Sequence, residues 1–182
     1  LMTLVNRIAN GLEALGLKEG DKIAIYMPMT LESVATYLAG IKAGMPVVTI
    51  ADSFTPQEIE VRLNSTTPKV VFTQDFVKRA GKEHPLFSKV IQANGPRAVV
   101  LEVSKKKKRI RKEDLYWNDF LHKNALFNSR IQDPDTPITI LFSSGTTGTP
   151  KAIPWTHTTP IKAASDGYYH QDIQRKDVVC WP

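Results

Sequence analysis

The sequence predicts an α/β fold, a mainly parallel β-sheet flanked by helices, and three observations carry that prediction. Short apolar runs alternate along the chain with segments of helical hydrophobic period, joined by short connections. Those runs, such as Val47-Val48-Thr49-Ile50 and Val70-Val71-Phe72-Thr73, lack the alternation of a half-exposed strand and suit strands covered on both faces. One helix start is written out in full: Thr55 as N-cap, Pro56 at the first helical position and Glu58 three residues after the cap form a capping box. Parallel strands joined by right-handed crossovers gather ligands at the carboxyl ends of the strands.

The elements follow in order. Leu4, Val5, Ile8, Leu12 and Leu15 recur at helical spacing, and Gly16 supplies a left-handed cap. Residues 22–27, between Gly20-Asp21 and Pro28, read as a buried strand. Thr30 caps a helix through Leu31, Val34, Leu38 and Ile41 to Gly44, and a strand from Val47 to Ile50 follows. After the Thr55-capped helix, with Ile59 and Leu63 inward, come a strand at 70–73, a helix at 86–93 and a strand at 98–103. Residues 115–121 read as a helix. Pro134 and Pro137 mark an irregular approach to the strand Ile138-Thr139-Ile140-Leu141-Phe142, and a helix over 158–169 and a strand starting at Asp177 complete the order.

Composition narrows the function classes. With 182 residues and 42% hydrophobic content the chain suits one globular domain. No apolar run approaches the roughly 18 residues of a membrane span, and the first residues lack a signal-peptide pattern. Cys180 is the one cysteine, so no intrachain disulfide forms, and an intracellular location is expected; it reads as a small buried residue. The net charge of +6 traces to one loop, where Lys105, Lys106, Lys107, Lys108, Arg109, Arg111 and Lys112 account for seven of the 24 Lys and Arg residues set against 18 Asp and Glu. No aromatic residue is interleaved to stack bases, so the loop reads as a solvated surface and no nucleic-acid partner is expected.

The chemistry concentrates after Phe142. Gly145 and Gly148 open backbone conformations that let amides approach an anion; Ser143, Ser144, Thr146 and Thr147 offer hydroxyl donors, and Lys151 adds a cation. Together they suit a polyphosphate. The spacing is not that of a Walker A loop, because Pro150 precedes the lysine and Ala152 follows it.

Ser143-Ser144-Gly145-Thr146-Thr147-Gly148-Thr149-Pro150-Lys151 resembles the AMP-binding signature shared by acyl-CoA synthetases, luciferase-like enzymes and peptide-synthetase adenylation domains. Gly20-Asp21-Lys22-Ile23-Ala24, Leu38 to Gly44 and Ser53-Phe54-Thr55 with Arg62 extend the similarity, toward the acetyl-CoA synthetase branch and most of all plant peroxisomal acyl-activating enzymes. The resemblance implies residues 1–182 of a larger N-terminal domain in an ATP-dependent acyl-CoA synthetase. Such an enzyme takes a carboxylic acid, ATP with Mg²⁺ and coenzyme A, makes acyl-AMP and passes the acyl group to the coenzyme thiol. It also implies that Ser143, Ser144, Gly145, Thr146, Thr147, Gly148 and Lys151 bind ATP phosphates, and that Arg79 and Lys82 contact coenzyme A, with lysine where the branch has a second arginine.

The adenine and ribose motifs, the acid pocket and the catalytic lid lysine of the resemblance fall beyond Pro182. No catalytic residue is therefore assigned, and the 182 residues alone are expected to be inactive. Ala152 replaces the usual glycine, a small change if its φ is negative. His157 reads as a local hydrogen-bonding residue and Trp155 as a packing residue. A peroxisomal or cytoplasmic location follows by resemblance only. The alternatives are a non-catalytic nucleotide-binding module, or another adenylate-forming enzyme of the peptide-synthetase or luciferase-like kind.

Overall fold

A computed structural model describes residues 1–104, 109–144 and 150–180. Helix α1 (Met2–Ala14) buries Val5, Ile8, Ala9 and Leu12, and Gly16 beyond it takes φ +84°, the left-handed turn that its sequence position predicts. Strand β1 (Ile23–Tyr26), helix α2 (Leu31–Lys42), strand β2 (Val47–Thr49), helix α3 (Pro56–Thr66) and strand β3 (Val70–Gln74) then follow the expected order. Both capping boxes form: Thr30 with Ser33 ahead of α2, and Thr55 with Glu58 ahead of α3. Each ties off helix amides that have no partner within the helix itself.

Next come a hairpin of β4 (Phe76–Arg79) and β5 (Lys82–Pro85), helix α4 (Phe87–Gln92), strand β6 (Ala98–Leu101), strand β7 (Leu115–Tyr116) and helix α5 (Trp117–Phe120). Strands β8 (Pro137–Ser143) and β9 (Lys151–Thr156) and helix α6 (Thr158–Gln171) complete the described elements. Seven strands form one sheet in the order β7-β6-β3-β1-β2-β8-β9, parallel throughout except for the antiparallel pairing of β8 with β9. The α/β class and the mainly parallel sheet are as predicted.

Successive β1 side chains serve opposite layers, as the two-residue strand period requires. Ile23 and Ile25 join α1 and α2 in a core with Val47, Val70, Phe72, Trp117 and Phe120, where Phe72 meets Phe120 edge-on at 5.2 Å between centroids. Ala24 and Tyr26 face the other way, into a core with Ile59, Leu63, Leu86 and Val90 from α3 and the α4 region. The sheet is thus covered on both faces, which explains why its strands read as unbroken apolar runs. At Gly40 a Cβ would stand 2.7 Å from Val47 Cγ2 and 2.9 Å from Ile23 Cδ1, so glycine permits the close approach of α2 to the sheet.

Four parts of the sequence reading are corrected. Residues 76–85, which carry no strand pattern in the sequence, form a hairpin, because Ala80 (φ 47°) and Gly81 (φ 76°) make a two-residue turn with both φ positive, the geometry that matches strand twist. Residues 115–121 are not one helix: Leu115 and Tyr116 pair with Val99 and Val100 at the sheet edge, leaving a single helical turn after them. Residues 151–156 form a strand despite Pro154, which is tolerated because β9 is the outermost strand. From Asp177 to Cys180 there is no strand. Asp177 instead closes a turn, its amide donating to Gln174 O at 3.0 Å and its carboxylate accepting from the Gln174 amide at 2.8 Å.

One residue of the basic loop, Arg111, is less solvated than the composition implies. Lys105, Lys106, Lys107 and Lys108 lie outside the described residues, but Arg111 is drawn into the fold. Its guanidinium donates to the Gly95 and Pro96 carbonyls at 2.9 and 2.7 Å and to the buried Asp114, whose Oδ1 also accepts from the Ala98 amide at 2.7 Å. Arg111 therefore anchors the loop beside β6. Cys180 is exposed, contrary to the buried role expected of it. No helix among the described residues is long and apolar enough to cross a membrane.

Asp75, buried at the end of β3, joins three segments: its carboxylate accepts from the amides of Phe76, Val103 and Ser104, each at 3.0 Å. Burial acts to raise its pKa, but the Ser104 hydroxyl and these amides outweigh it and hold the carboxyl below the usual carboxylate range. A depressed folded pKa means that the stabilisation is complete above the unfolded-state pKa and is lost as pH falls through the folded one. Asp75→Asn is expected to lower unfolding free energy by about 2 kcal/mol at pH 7. The gap from wild type should narrow in urea titrations as pH is lowered to about 3, and a gap independent of pH would contradict this role.

Candidate functional site

The glycine-rich segment lies between two paired strands. In the β8–β9 ladder Phe142 stands opposite Ala152 and Ser143 opposite Lys151, where β8 ends at the carboxyl edge of the parallel strands. Ser143 is half-buried, whereas Ser144 and Lys151 are exposed. Gly145, Thr146, Thr147 and Gly148 lie outside the described residues. Of the predicted phosphate-binding set, the structure brings Ser143 and Lys151 face to face across the hairpin. Ala152 lies in a strand and is not among the residues of positive φ, so alanine costs little in place of glycine.

Beneath this hairpin the carboxyl ends of β1, β2 and β8 enclose a cleft of about 700 Å³. Its walls are largely apolar: Met27 and Met29 after β1, Tyr37 of α2, Ile50 after β2, Phe54, and Leu141 and Phe142 of β8. Among the described residues, one charged group lines it. Arg62 of α3 is only 7% exposed, with its guanidinium 4.0 Å above the Phe54 ring centroid and 5.2 Å from that of Phe142. Its Nη1 donates to Glu58 O at 2.7 Å, and its Nε has no partner among the described residues. Burial lowers the Arg62 pKa and Glu58 partly offsets this; an arginine so placed remains a cation. The sandwich joins α3 to the strand that carries the hairpin.

Arg79 and Lys82 occupy directly opposed positions at the tip of the β4–β5 hairpin. Arg79 is half-exposed, and its Nη2 donates to both carboxylate oxygens of Asp52, at 2.6 and 2.7 Å. Asp52 follows β2, between cleft-lining residues Ala51 and Phe54. Its backbone is held from below: the buried Tyr26 hydroxyl donates to the carbonyls of Asp52 and Phe54, at 3.1 and 3.3 Å. Burial, and after it the Asp52 charge, push the phenol well above its ordinary pKa against the opposing pull of Arg79, so it stays a donor. The 51–54 segment therefore links the two predicted sites along one edge of the sheet.

Sequence reasoning missed Asp52 and Tyr26. Asp52 carries no local motif and Tyr26 falls inside the strand at 22–27, and only the fold brings their partners near. Trp155, expected to pack, is 45% exposed on β9. The His157 amide donates to Thr136 O at 3.3 Å, while its buried Nε2 has no partner among the described residues.

Comparison with known proteins gives the family and the fold. A sequence model described as AMP-binding enzyme matches residues 1–182. The chain is similar to a hexanoyl-CoA synthase of Cannabis sativa, with 47% identity over 96% of this chain and 25% of that protein. It is likewise similar to a probable peroxisomal acyl-activating enzyme 17 of Arabidopsis thaliana, with 46% identity over 96% of this chain and 25% of the relative. Acetyl-coenzyme A synthetases are among its relatives as well. A solved acetoacetyl-CoA synthetase from Streptomyces lividans superposes with a TM-score of 0.85 at 26% identity, over 97% of this chain and 28% of that one. The chain thus spans about a quarter of the length of the relatives it matches. With the family model matched over its whole length and the fold shared, the chain belongs to the AMP-binding enzyme family.

Proposed function

We propose that this chain is the N-terminal part of an ATP-dependent acyl-CoA synthetase, and that the β8–β9 hairpin holds the phosphates of ATP while a carboxylic acid is activated. The observation that carries the reading is the pairing of Ser143 with Lys151, the two ends of the glycine-rich signature, at the carboxyl edge of a parallel sheet. Parallel strands direct ligands to that edge. The β8–β9 pairing sets a hydroxyl opposite an ammonium, and the sequence between them adds two glycines and four further hydroxyl residues.

In this reading the acid's carboxylate attacks the α-phosphorus of ATP, forming acyl-AMP and releasing pyrophosphate. The coenzyme thiol then displaces AMP to give the thioester. Charge on the departing pyrophosphate is met by Lys151, by the Ser143, Ser144, Thr146 and Thr147 hydroxyls and by the amides about Gly145 and Gly148, with Mg²⁺ carried on the phosphates. These groups position and neutralise; they take no proton. Arg79 and Lys82 serve coenzyme A from the neighbouring hairpin, Arg79 by a directional fork and Lys82 as a point charge. The acid is of the acyl kind named for the plant relatives, and the peroxisome is the proposed location on the same similarity.

Acid-dependent exchange of labelled pyrophosphate into ATP tests the phosphate assignment. In the full-length protein Lys151→Ala is expected to slow exchange by about 10- to 100-fold, with a much smaller change in the KM for the acid; equal exchange rates would remove Lys151 from the phosphate site. Residues 1–182 expressed alone are expected to show no exchange, and activity there would overturn the division of labour with the rest of the protein.

A further inference from the structure

Asp52 is the unexpected member of the site. It puts a carboxylate against the very arginine assigned to an anionic cosubstrate, and it is fixed there by the core, through Tyr26. Only one Arg79 nitrogen is used: both oxygens of Asp52 receive Nη2, and Nη1 and Nε make no hydrogen bond among the described residues. The β4–β5 hairpin is a two-stranded sheet apart from the main one, and all four β5 residues are exposed. An arginine on such a tip has many rotamers, and a ligand must freeze them. The Asp52 contact does so in advance. Arg79, Lys82 and Asp52 together carry one net positive charge, and the two cations flank a single two-residue turn.

We propose that Asp52 is a specificity-determining, positioning residue for coenzyme A, which holds Arg79 so that its remaining N–H groups meet the phosphate monoester on the coenzyme's ribose. The inference rests on the coenzyme role given to Arg79 above. A monoester is dianionic and matches two opposed cations, whereas each phosphate of the diphosphate bridge carries one charge. Without Asp52 the guanidinium is still present but has to be ordered on binding.

The test compares coenzyme A with dephospho-coenzyme A, which lacks only that monoester, as cosubstrates of the full-length protein. Asp52→Ala is expected to raise the KM for coenzyme A by about three- to tenfold, the cost of ordering one such side chain. The effect should fall on KM more than on kcat, and dephospho-coenzyme A should shift by less than about twofold because its binding uses no such contact. Asp52→Asn, which keeps one acceptor oxygen and the same volume, should fall between wild type and Asp52→Ala. Equal shifts for both cosubstrates, a lower KM for coenzyme A, or no shift would overturn the proposal. Arg79→Ala separates the two levels of inference. If it abolishes discrimination between the cosubstrates while Asp52→Ala preserves it, only the role of Asp52 fails; if Arg79→Ala also preserves discrimination, the coenzyme reading of Arg79 fails with it.

Discussion

The pairing of β8 with β2 is the contact on which the rest depends. Val47 lies beside Thr139 and Val48 beside Ile140, two segments 92 residues apart, and the Thr139 hydroxyl adds a bond to Val47 O at 3.0 Å. Closing a loop of that length costs on the order of 4 kcal/mol in chain entropy. Burying Ile138 and Ile140 returns roughly 2 kcal/mol each, before the ladder hydrogen bonds are counted. The balance favours insertion. Once β8 lies beside β2, Ser143 and its partner Lys151 come to the carboxyl edge, beside the cleft that β1 and β2 already define.

Around that edge the protein arranges cations in three distinct ways. Arg62 is buried between Phe54 and Phe142, where two ring faces and one carbonyl replace the water it has lost. Arg79 is half-exposed and held by a carboxylate. Lys151 is exposed at the mouth of the hairpin, opposite a serine. Their exposure follows their proposed work: the first braces α3 against β8, the second is ordered for a ligand, and the third reaches one. Tyr26 connects the arrangement to the core, since its hydroxyl donates to the carbonyls of Asp52 and Phe54.

Much of this was legible in the sequence where local signals and tertiary packing agree. The strands buried on both faces announced themselves as apolar runs, and the caps at Thr30 and Thr55 fixed two helix starts. What stayed hidden was exposed or depended on distant partners. Strand β9 carries Pro154 and is exposed over five of its six residues, so no burial pattern betrayed it. The β4–β5 turn uses Ala80 at positive φ, a conformation its side chain does not advertise. Leu115 and Tyr116 are strand only because the edge of β6 is there to pair with. Asp52 acquires meaning from Arg79, 27 residues on, and sequence distance conceals that ion pair. The signature itself was plain as a motif, whereas the hairpin that carries it was not.

A structure of the full-length protein with ATP or a non-hydrolysable analogue tests the central claim most directly. The account predicts the β- and γ-phosphates within hydrogen-bonding reach of the turn between Ser143 and Lys151, with the Lys151 ammonium on a phosphate oxygen. A triphosphate bound elsewhere, with this hairpin remote from it, would contradict the account.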